Sequence, residues 1–282
     1  MKIVVTGFSG TLGSTLLPIL LEDGHQVVGY SRCEFRQSLI TPHPNLTKYI
    51  GDIRDRTRLE EATRGCDLIF HLAALKRVDT LEECPEEAVK TNIEGTMNIL
   101  YAQRVNNIPR VVLSSTDKAV RPINVYGNSK AIAEKLVLRN PHNIVCRYGN
   151  VLGSRGSVLP QFVKSIMNNR SVQITSKAMT RFWIRPEDAA KFVYHSSNKV
   201  AGGLCIPTLK AYPVMKLAIL IGEILGFEID DWQDVGIRAG EKLHEELRTE
   251  SEGGYIVSSD RNYWFTKPEL SGLIKDTVER LS

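Results

Sequence analysis

The sequence predicts an α/β protein built on a doubly wound parallel sheet. Three observations carry that expectation: short β-branched runs of the length of buried strands, amphipathic stretches of helical period between them, and a glycine-rich turn joining the first strand to the first helix. Strands are expected over 2–6, 26–30, 47–50, 67–71, 110–115 and 143–148, and helices near 11–22, 55–63, 86–105 and 126–139. After about residue 150 the alternation breaks. Helical segments near 159–168, 186–198 and 213–225 then mix with short strands and loops.

The chain has 282 residues, enough for one large core and a smaller lobe. Hydrophobic residues make up 42% and charged residues 24%, as in an ordinary globular protein. A formal net charge of +4 with no dense Lys/Arg block argues against nucleic acid or a membrane surface as partner. A few arginines serving a diphosphate account for that excess equally well. The cysteines at 33, 66, 84, 146 and 205 form no CxxC and no metal-ligand spacing, so reduced thiols and no metal are expected. No apolar run approaches the roughly 20 residues a membrane span needs. The chain opens on Met1-Lys2-Ile3-Val4-Val5-Thr6, a strand pattern and not a signal peptide, and a cytoplasmic location is expected.

The first strand runs into Thr6-Gly7-Phe8-Ser9-Gly10-Thr11-Leu12-Gly13 and then a helical pattern. Glycines there allow a tight turn and a close approach of backbone to a diphosphate, and the helix N-terminus adds N–H groups and a favourable dipole. A glycine triplet that follows a strand and opens a βαβ unit reads as a Rossmann-like dinucleotide site. Gly7, Ser9, Gly10, Thr11, Leu12 and Gly13 are its expected contacts. The spacing is GxxGxxG, as in extended short-chain dehydrogenases. The second strand ends in Tyr30-Ser31-Arg32, without the carboxylate that holds a ribose 2′-hydroxyl in NAD-preferring enzymes. Ser31 and Arg32 suit a 2′-phosphate, so NADP is expected over NAD. Asp52-Ile53 is expected to receive the adenine. Ala73, Ala74 and Lys76 are expected beside the cofactor's central portion, and Asn92 and Ser114 complete the contacts. On this reading residues 1–150, with part of 186–212 returning, form a dinucleotide-binding domain. Residues 151–282 form mainly a substrate-binding lobe.

The fifth strand ends in Ser114-Ser115-Thr116-Asp117-Lys118, and Tyr126-Gly127-Asn128-Ser129-Lys130 follows. Positions i and i+4 share one helix face. A lysine at 130 is expected to depress the pKa of Tyr126, helped by a positive nicotinamide ring, and both residues are also expected to touch the cofactor. The tyrosine can then take a proton from a substrate alcohol while a hydride leaves the same carbon.

Six runs carry a more specific resemblance: HLAALKRV (71–78), KTNIEGTMN (90–98), STDKAVRPINVYGNSK (115–130), RYGNVLGSRGSV (147–158), MTRFWI (179–184) and GIRAGEKLHEE (236–246). Over about residues 1–250 the sequence resembles the UDP-N-acetylglucosamine 4,6-dehydratases that invert C5. Related membrane-bound retaining dehydratases typically carry methionine where this chain has Tyr126, and their transmembrane leader is not expected here. The glycine loop reads GFSGTLG where members tend to have GGTGSFG, and GIRAGEKLHE has alanine where proline is usual.

The resemblance implies a UDP-sugar substrate and a 4-keto-6-deoxy product. It implies Lys118 as the base at C5, Asp117 as the acid at the C6 hydroxyl, and Thr116 as a hydrogen-bond partner of the C4 oxygen. Lys118 must then be neutral and Asp117 protonated, and burial is expected to bring about both. Arg181 and Arg238 resemble the family's diphosphate-binding arginines, Thr180 and Glu241 lie nearby for ribose and phosphates, and Asn150 and Lys76 are expected substrate contacts. A homo-oligomer is expected, with helices 86–105 and 126–139 pairing with their copies as a four-helix bundle. His71 and His244 are expected to be structural. Two other readings remain open: a UDP-sugar 4-epimerase, which shares Tyr126 and Lys130 but needs no Asp-Lys pair, and an NADP-sensing module without turnover.

Overall fold

The computed structural model describes residues 1–252, 257–261 and 263–281, and the chain divides into two compact units. Met1–Arg147 and Glu187–Pro207 make the first, and Tyr148–Pro186 and the chain from Thr208 onward make the second.

In the first unit the apolar runs become the strands of one sheet. They are β1 (Lys2–Thr6), β2 (Gln26–Ser31), β3 (Leu46–Ile50), β4 (Leu68–His71), β5 (Arg110–Thr116) and β6 (Ile144–Tyr148). A seventh strand, Gly203–Cys205, joins them in the order Gly203–Cys205, β6, β5, β4, β1, β2, β3. The pairings of β1 with β2 and β4, of β2 with β3, of β4 with β5, and of β6 with Gly203–Cys205 are all parallel. This is the doubly wound sheet that the sequence predicts. Ile3, Val4, Val5, Ile69, Phe70, Val111 and Val112 are sealed from solvent because helices cover both faces of such a sheet. The edge strand β3 is wetter, with Ile50 exposed. Gly203–Cys205 is absent from the sequence reading. Three residues carry too little pattern, and pairing with β6 alone makes them a strand.

The strand order reverses between β1 and β4, and at such a switch point the carboxyl ends of two strands open a crevice. The glycine loop after β1 and residues Leu72–Leu75 after β4 meet there. The helix expected over 86–105 is composite: Pro85–Ala88, a π-helical turn over Val89–Glu94, and Gly95–Val105.

The second unit is smaller and mixed. Strand Thr180–Ile184 pairs antiparallel with Ala211–Pro213 and parallel with Asn150–Val151. Helices Val158–Asn169, Val214–Leu225 and Lys267–Leu281 bury Leu159, Phe162, Ile166, Leu217, Ile221, Leu270, Ile274 and Val278 in one core with Trp183. The last of these helices is missing from the sequence reading, although Leu270, Ile274 and Val278 recur at helical spacing. Among the described residues no helix is long and apolar enough to cross a membrane.

Candidate active site

The glycine loop is built so that a side chain has nowhere to go. Gly7 has φ 70° and donates its N–H to the Tyr30 carbonyl at 2.8 Å. A Cβ on it would lie 2.9 Å from both Cα and N of Ala73. A Cβ on Gly13 would fall 2.4 Å from Phe8 Cα. The helix Thr11–Glu22 therefore starts hard against the turn, with Gly10 as an N-cap that makes no side-chain cap hydrogen bond. Gly7, Gly10, Thr11, Leu12 and Gly13 surround that helix N-terminus, a cradle whose shape and dipole suit a diphosphate.

At the end of β2 the hydroxyl of Ser31 is buried. It meets Ser9 Oγ at 2.9 Å and accepts from Gln37 Nε2 at 3.1 Å. The Ser31 hydroxyl expected at a 2′-phosphate is thus engaged inside the fold. The group offered outward is Arg32, half exposed, with Nη1 3.3 Å from Asp52 Oδ2. Arg54 holds the same carboxylate through its backbone N at 3.0 Å and Nε at 3.3 Å. Ile53 turns inward and packs in the core.

The residues around the end of β5 converge. Thr116 Oγ1 donates to Asp117 Oδ1 at 3.0 Å, and Lys118 Nζ donates to the same oxygen at 3.0 Å. Asp117 is fully buried and the Lys118 side chain is 18% exposed. Tyr126 is the second residue of the helix Val125–Val137, whose N-cap Asn124 accepts from the Gly127 N–H. A Cβ on Gly127 would lie 2.3 Å from the Lys118 carbonyl oxygen, so the helix start and the Asp117–Lys118 turn touch closely. Burial pushes the Tyr126 phenol up to about 12. The Lys118 charge and a hydrogen bond with Thr116 oppose the rise, and Asp117 adds to it.

The Lys130 ammonium donates to the Ser114 carbonyl at 2.7 Å, and the cation that opposes the rise of Tyr126 is Lys118. Burial holds Lys130 itself down at about 8, with Glu134 acting against the fall.

A hydrogen-bond chain ties the glycine loop to this helix. Thr96 Oγ1 donates to the Asn92 carbonyl at 2.6 Å, so it receives the Nε2–H of His71 at 3.1 Å. Thr6 Oγ1 accepts from the Leu72 and Ala73 N–H groups at 3.2 and 3.3 Å, and its own proton goes to His71 Nδ1 at 2.9 Å. His71 is therefore neutral, with its tautomer fixed by its partners. Burial, aided by the Lys130 charge, lowers its pKa to about 3. Asn92, on the π turn, accepts from Leu75 N and donates to Leu75 O and to Ser129 Oγ, each at 2.9 Å. Ser129 passes the chain to the Tyr126 carbonyl at 2.8 Å. Asn92 was expected as a direct cofactor contact. Both of its amide hydrogens are committed inside the fold, and what it holds is the segment Ala73–Lys76.

In the second unit Thr180 Oγ1 meets His244 Nδ1 and Ser259 Oγ, each at 2.8 Å. Arg181 is buried. Its guanidinium donates to the carbonyls of Thr180, Leu243 and Lys242 at 2.8, 3.2 and 2.9 Å, with Glu245 at 4.0 Å. That is the arrangement of a side chain that fixes the 242–245 segment, where the sequence suggests an outward phosphate clamp. Arg238 is exposed on a closed turn: Glu241 N donates to the Arg238 carbonyl at 3.0 Å, and Arg238 N donates to Glu241 Oε2 at 3.3 Å. Asn150 pairs with Trp183 across two strands.

The family model described as polysaccharide biosynthesis protein matches residues 3–266. The chain belongs to that family. An inverting UDP-N-acetylglucosamine 4,6-dehydratase of Campylobacter jejuni is 37% identical, over 98% of this chain and 85% of its own length. A UDP-glucose 4-epimerase of Rickettsia felis is 36% identical, over 93% and 84%. Among solved structures, that of Pen from Bacillus thuringiensis superposes with a TM-score of 0.92 at 29% identity, covering 100% of this chain and 98% of Pen.

In this member of the polysaccharide biosynthesis protein family, the sequence reading missed Gln37, Ser129, Glu134 and Arg147, all buried or turned inward around the site. Glu134 carried a readable signal. It lies four residues after Lys130 and eight after Tyr126, a carboxylate on the face that the helix buries. Arg147 has no local signal, since only the fold brings it to Glu134.

Proposed function

We propose that this chain is a 4,6-dehydratase of UDP-N-acetylglucosamine or a close UDP-hexose, inverting C5 and using NADP. The observation that carries the reading is the pair of buried Asp117 with part-buried Lys118, 3.0 Å apart, beside Tyr126. The 37% identity with the inverting dehydratase supports it. In this reading the first unit holds the cofactor, through the Gly7–Gly13 cradle, Arg32 and the Ala73–Lys76 segment. The second unit holds the nucleotide sugar, with Arg238, Glu241, Thr180 and Asn150 as contacts. The exposed ion pair of Arg32 with Asp52 is worth about 0–1 kcal/mol, so a 2′-phosphate can replace the carboxylate at little cost. The helices Gly95–Val105 and Val125–Val137 carry exposed Met97 and Ile132, which suit the expected homo-oligomer.

When bound, an oxidised nicotinamide supplies the hydride acceptor at C4 and the later hydride donor at C6. Tyr126 takes the proton of the C4 hydroxyl, with Thr116 steadying that oxygen. The C5 hydrogen, made acidic by the new ketone, goes to Lys118. Asp117 gives its proton to the C6 hydroxyl, which leaves as water, and C5 receives in return the proton that Tyr126 took from the C4 hydroxyl. Lys118 and Asp117 need no outside proton to reach these states. Moving one proton along their hydrogen bond turns the ion pair into amine and carboxylic acid, and burial favours that uncharged form.

The test is turnover of UDP-N-acetylglucosamine followed by mass spectrometry and NMR. Loss of one water supports the dehydratase. An isomer of unchanged mass supports the 4-epimerase reading left open by the sequence, to which the Rickettsia felis relative adds weight. Tyr126→Phe should abolish cofactor reduction. Lys118→Ala should keep that oxidation and lose C5 exchange in deuterated water, at a cost of about 10²–10⁴-fold in dehydration. Asp117→Asn should keep C5 exchange and lose dehydration. Near-normal dehydration by Lys118→Ala would sink the assignment.

A further inference from the structure

The loop after β2 is closed by Gln37, on the short helix Glu34–Ser38. Its side chain is buried, and its amide nitrogen donates to the Ser31 carbonyl at 2.7 Å, the Ser31 hydroxyl at 3.1 Å and the Tyr49 carbonyl at 3.2 Å. Its backbone N–H returns to the Cys33 carbonyl at 3.1 Å, and its own carbonyl receives Lys48 Nζ at 2.8 Å. The amide hydrogens of one side chain thus serve the carboxyl ends of both β2 and β3. Ser31 in turn meets Ser9 of the glycine loop at 2.9 Å. The shortest of these contacts falls on the peptide unit that joins Ser31 to Arg32, since a carbonyl and the N–H that follows it lie in one rigid plane. What fixes the Ser31 carbonyl therefore fixes the direction in which Arg32 leaves the strand.

We propose that Gln37 is a positioning residue for cofactor choice: by holding the Ser31–Arg32 peptide against the end of β3, it aims the Arg32 guanidinium at a nucleotide 2′-phosphate. Arg32 is half exposed, and a long side chain in that setting has many rotamers to lose on binding. Its Nη1 lies 3.3 Å from Asp52 Oδ2, so the guanidinium is already turned toward the chain that follows β3, the strand that Gln37 ties to β2. A guanidinium aimed in advance binds a phosphate with less loss of freedom. Gln37→Met keeps a side chain of similar length and removes both donors, so the Ser31 and Tyr49 carbonyls lose a partner and the peptide before Arg32 is free to turn. A nucleotide without the 2′-phosphate makes no use of that aim. Gln37 is buried and acts only through Arg32.

The inference rests on reading Arg32 as the 2′-phosphate contact, and the unsubstituted protein tests that reading first: binding NADP no better than NAD overturns both. The measurement is calorimetric binding of NADP and of NAD to the full chain in low salt, for the unsubstituted protein, Gln37→Met, Arg32→Ala and the double variant. Gln37→Met should weaken NADP about three- to tenfold and NAD less than about twofold. In the Arg32→Ala background it should weaken NADP no further, since nothing is left to position. Equal weakening of the two nucleotides, unchanged NADP binding, or a loss that persists in full without Arg32 overturns the proposal and leaves the reading of Arg32 standing. Where Gln37→Met does not fold, Gln37→Asn, with the same amide on a shorter arm, decides alone: a loss confined to NADP supports the proposal, and an equal loss or none overturns it.

Discussion

His71 gives the first unit a pH-dependent stability that a single substitution should remove. Its ring is 1% exposed, and both nitrogens are bonded to threonine hydroxyls, an arrangement open only to the neutral ring. The folded-state pKa of about 3 lies below the ordinary value of 6.5. Between those values the unfolded chain binds a proton that the folded chain does not, so stability rises with pH there and is lost as pH falls below 6.5. Each pH unit of that window is worth about 1.4 kcal/mol. From pH 7 to pH 5 the loss attributable to His71 is about 2 kcal/mol. His71→Gln cannot take up that proton. At pH 7 it should cost about 1–3 kcal/mol, because the buried Thr6 hydroxyl loses its well-placed acceptor. The assay is urea unfolding of both proteins across pH 5 to 7, followed by a probe in the first unit. The difference between them should shrink by about 2 kcal/mol toward pH 5. A constant difference would refute a neutral His71, since all other titrating groups are common to both proteins.

Two further outcomes follow from the same geometry. Arg32→Ala should weaken NADP binding about tenfold or more and NAD binding little, by calorimetry in low salt; equal weakening would remove Arg32 as the 2′-phosphate contact. Light scattering at micromolar concentration should show an oligomer that Met97→Lys with Ile132→Lys converts to a monomer, and a monomeric parent protein would count against pairing through these helices.

The fold was legible because its signals are local. Buried parallel strands such as Lys2–Thr6 must be continuous apolar runs, and the glycine turn sits in sequence next to the strand it ends. The Thr116-Asp117-Lys118 turn and the Tyr126–Lys130 pair were legible for the same reason, since each is a short stretch of chain. What escaped depends on partners far along the chain. The π turn at Val89–Glu94 leaves no mark on an apolar period, and what uses it is the clamp of Asn92 on Leu75, 17 residues earlier. Arg181 looked like a phosphate ligand because residue type does not tell whether a guanidinium faces solvent or the carbonyls of residues 242 and 243. The spacing of Tyr126 and Lys130 puts them on one face but does not fix where a flexible ammonium goes, and here the Ser114 carbonyl receives it.

The electrostatics of the cluster give the proposed chemistry an order. Tyr126 must lose its proton before it can act, and the charged form of Lys118 and a hydrogen bond with Thr116 favour this, with Asp117 working against it. A phenolate at Tyr126 and an ammonium at Lys118 stabilise each other, so the first step is served by the ion-paired state of Lys118. Once Tyr126 has taken the C4 hydroxyl proton it is neutral again, and the anion that favoured a charged Lys118 is gone. Lys118 can then pass its proton to Asp117 along their 3.0 Å hydrogen bond. That transfer creates together the base that C5 requires and the acid that the C6 hydroxyl requires. In the proposed mechanism the pair is thus unready for elimination before oxidation and ready after it, with no step that requires the backbone to move. Placing Asp117 and Lys118 next to each other in the chain, on one short turn after β5, is what allows a single proton to make that change.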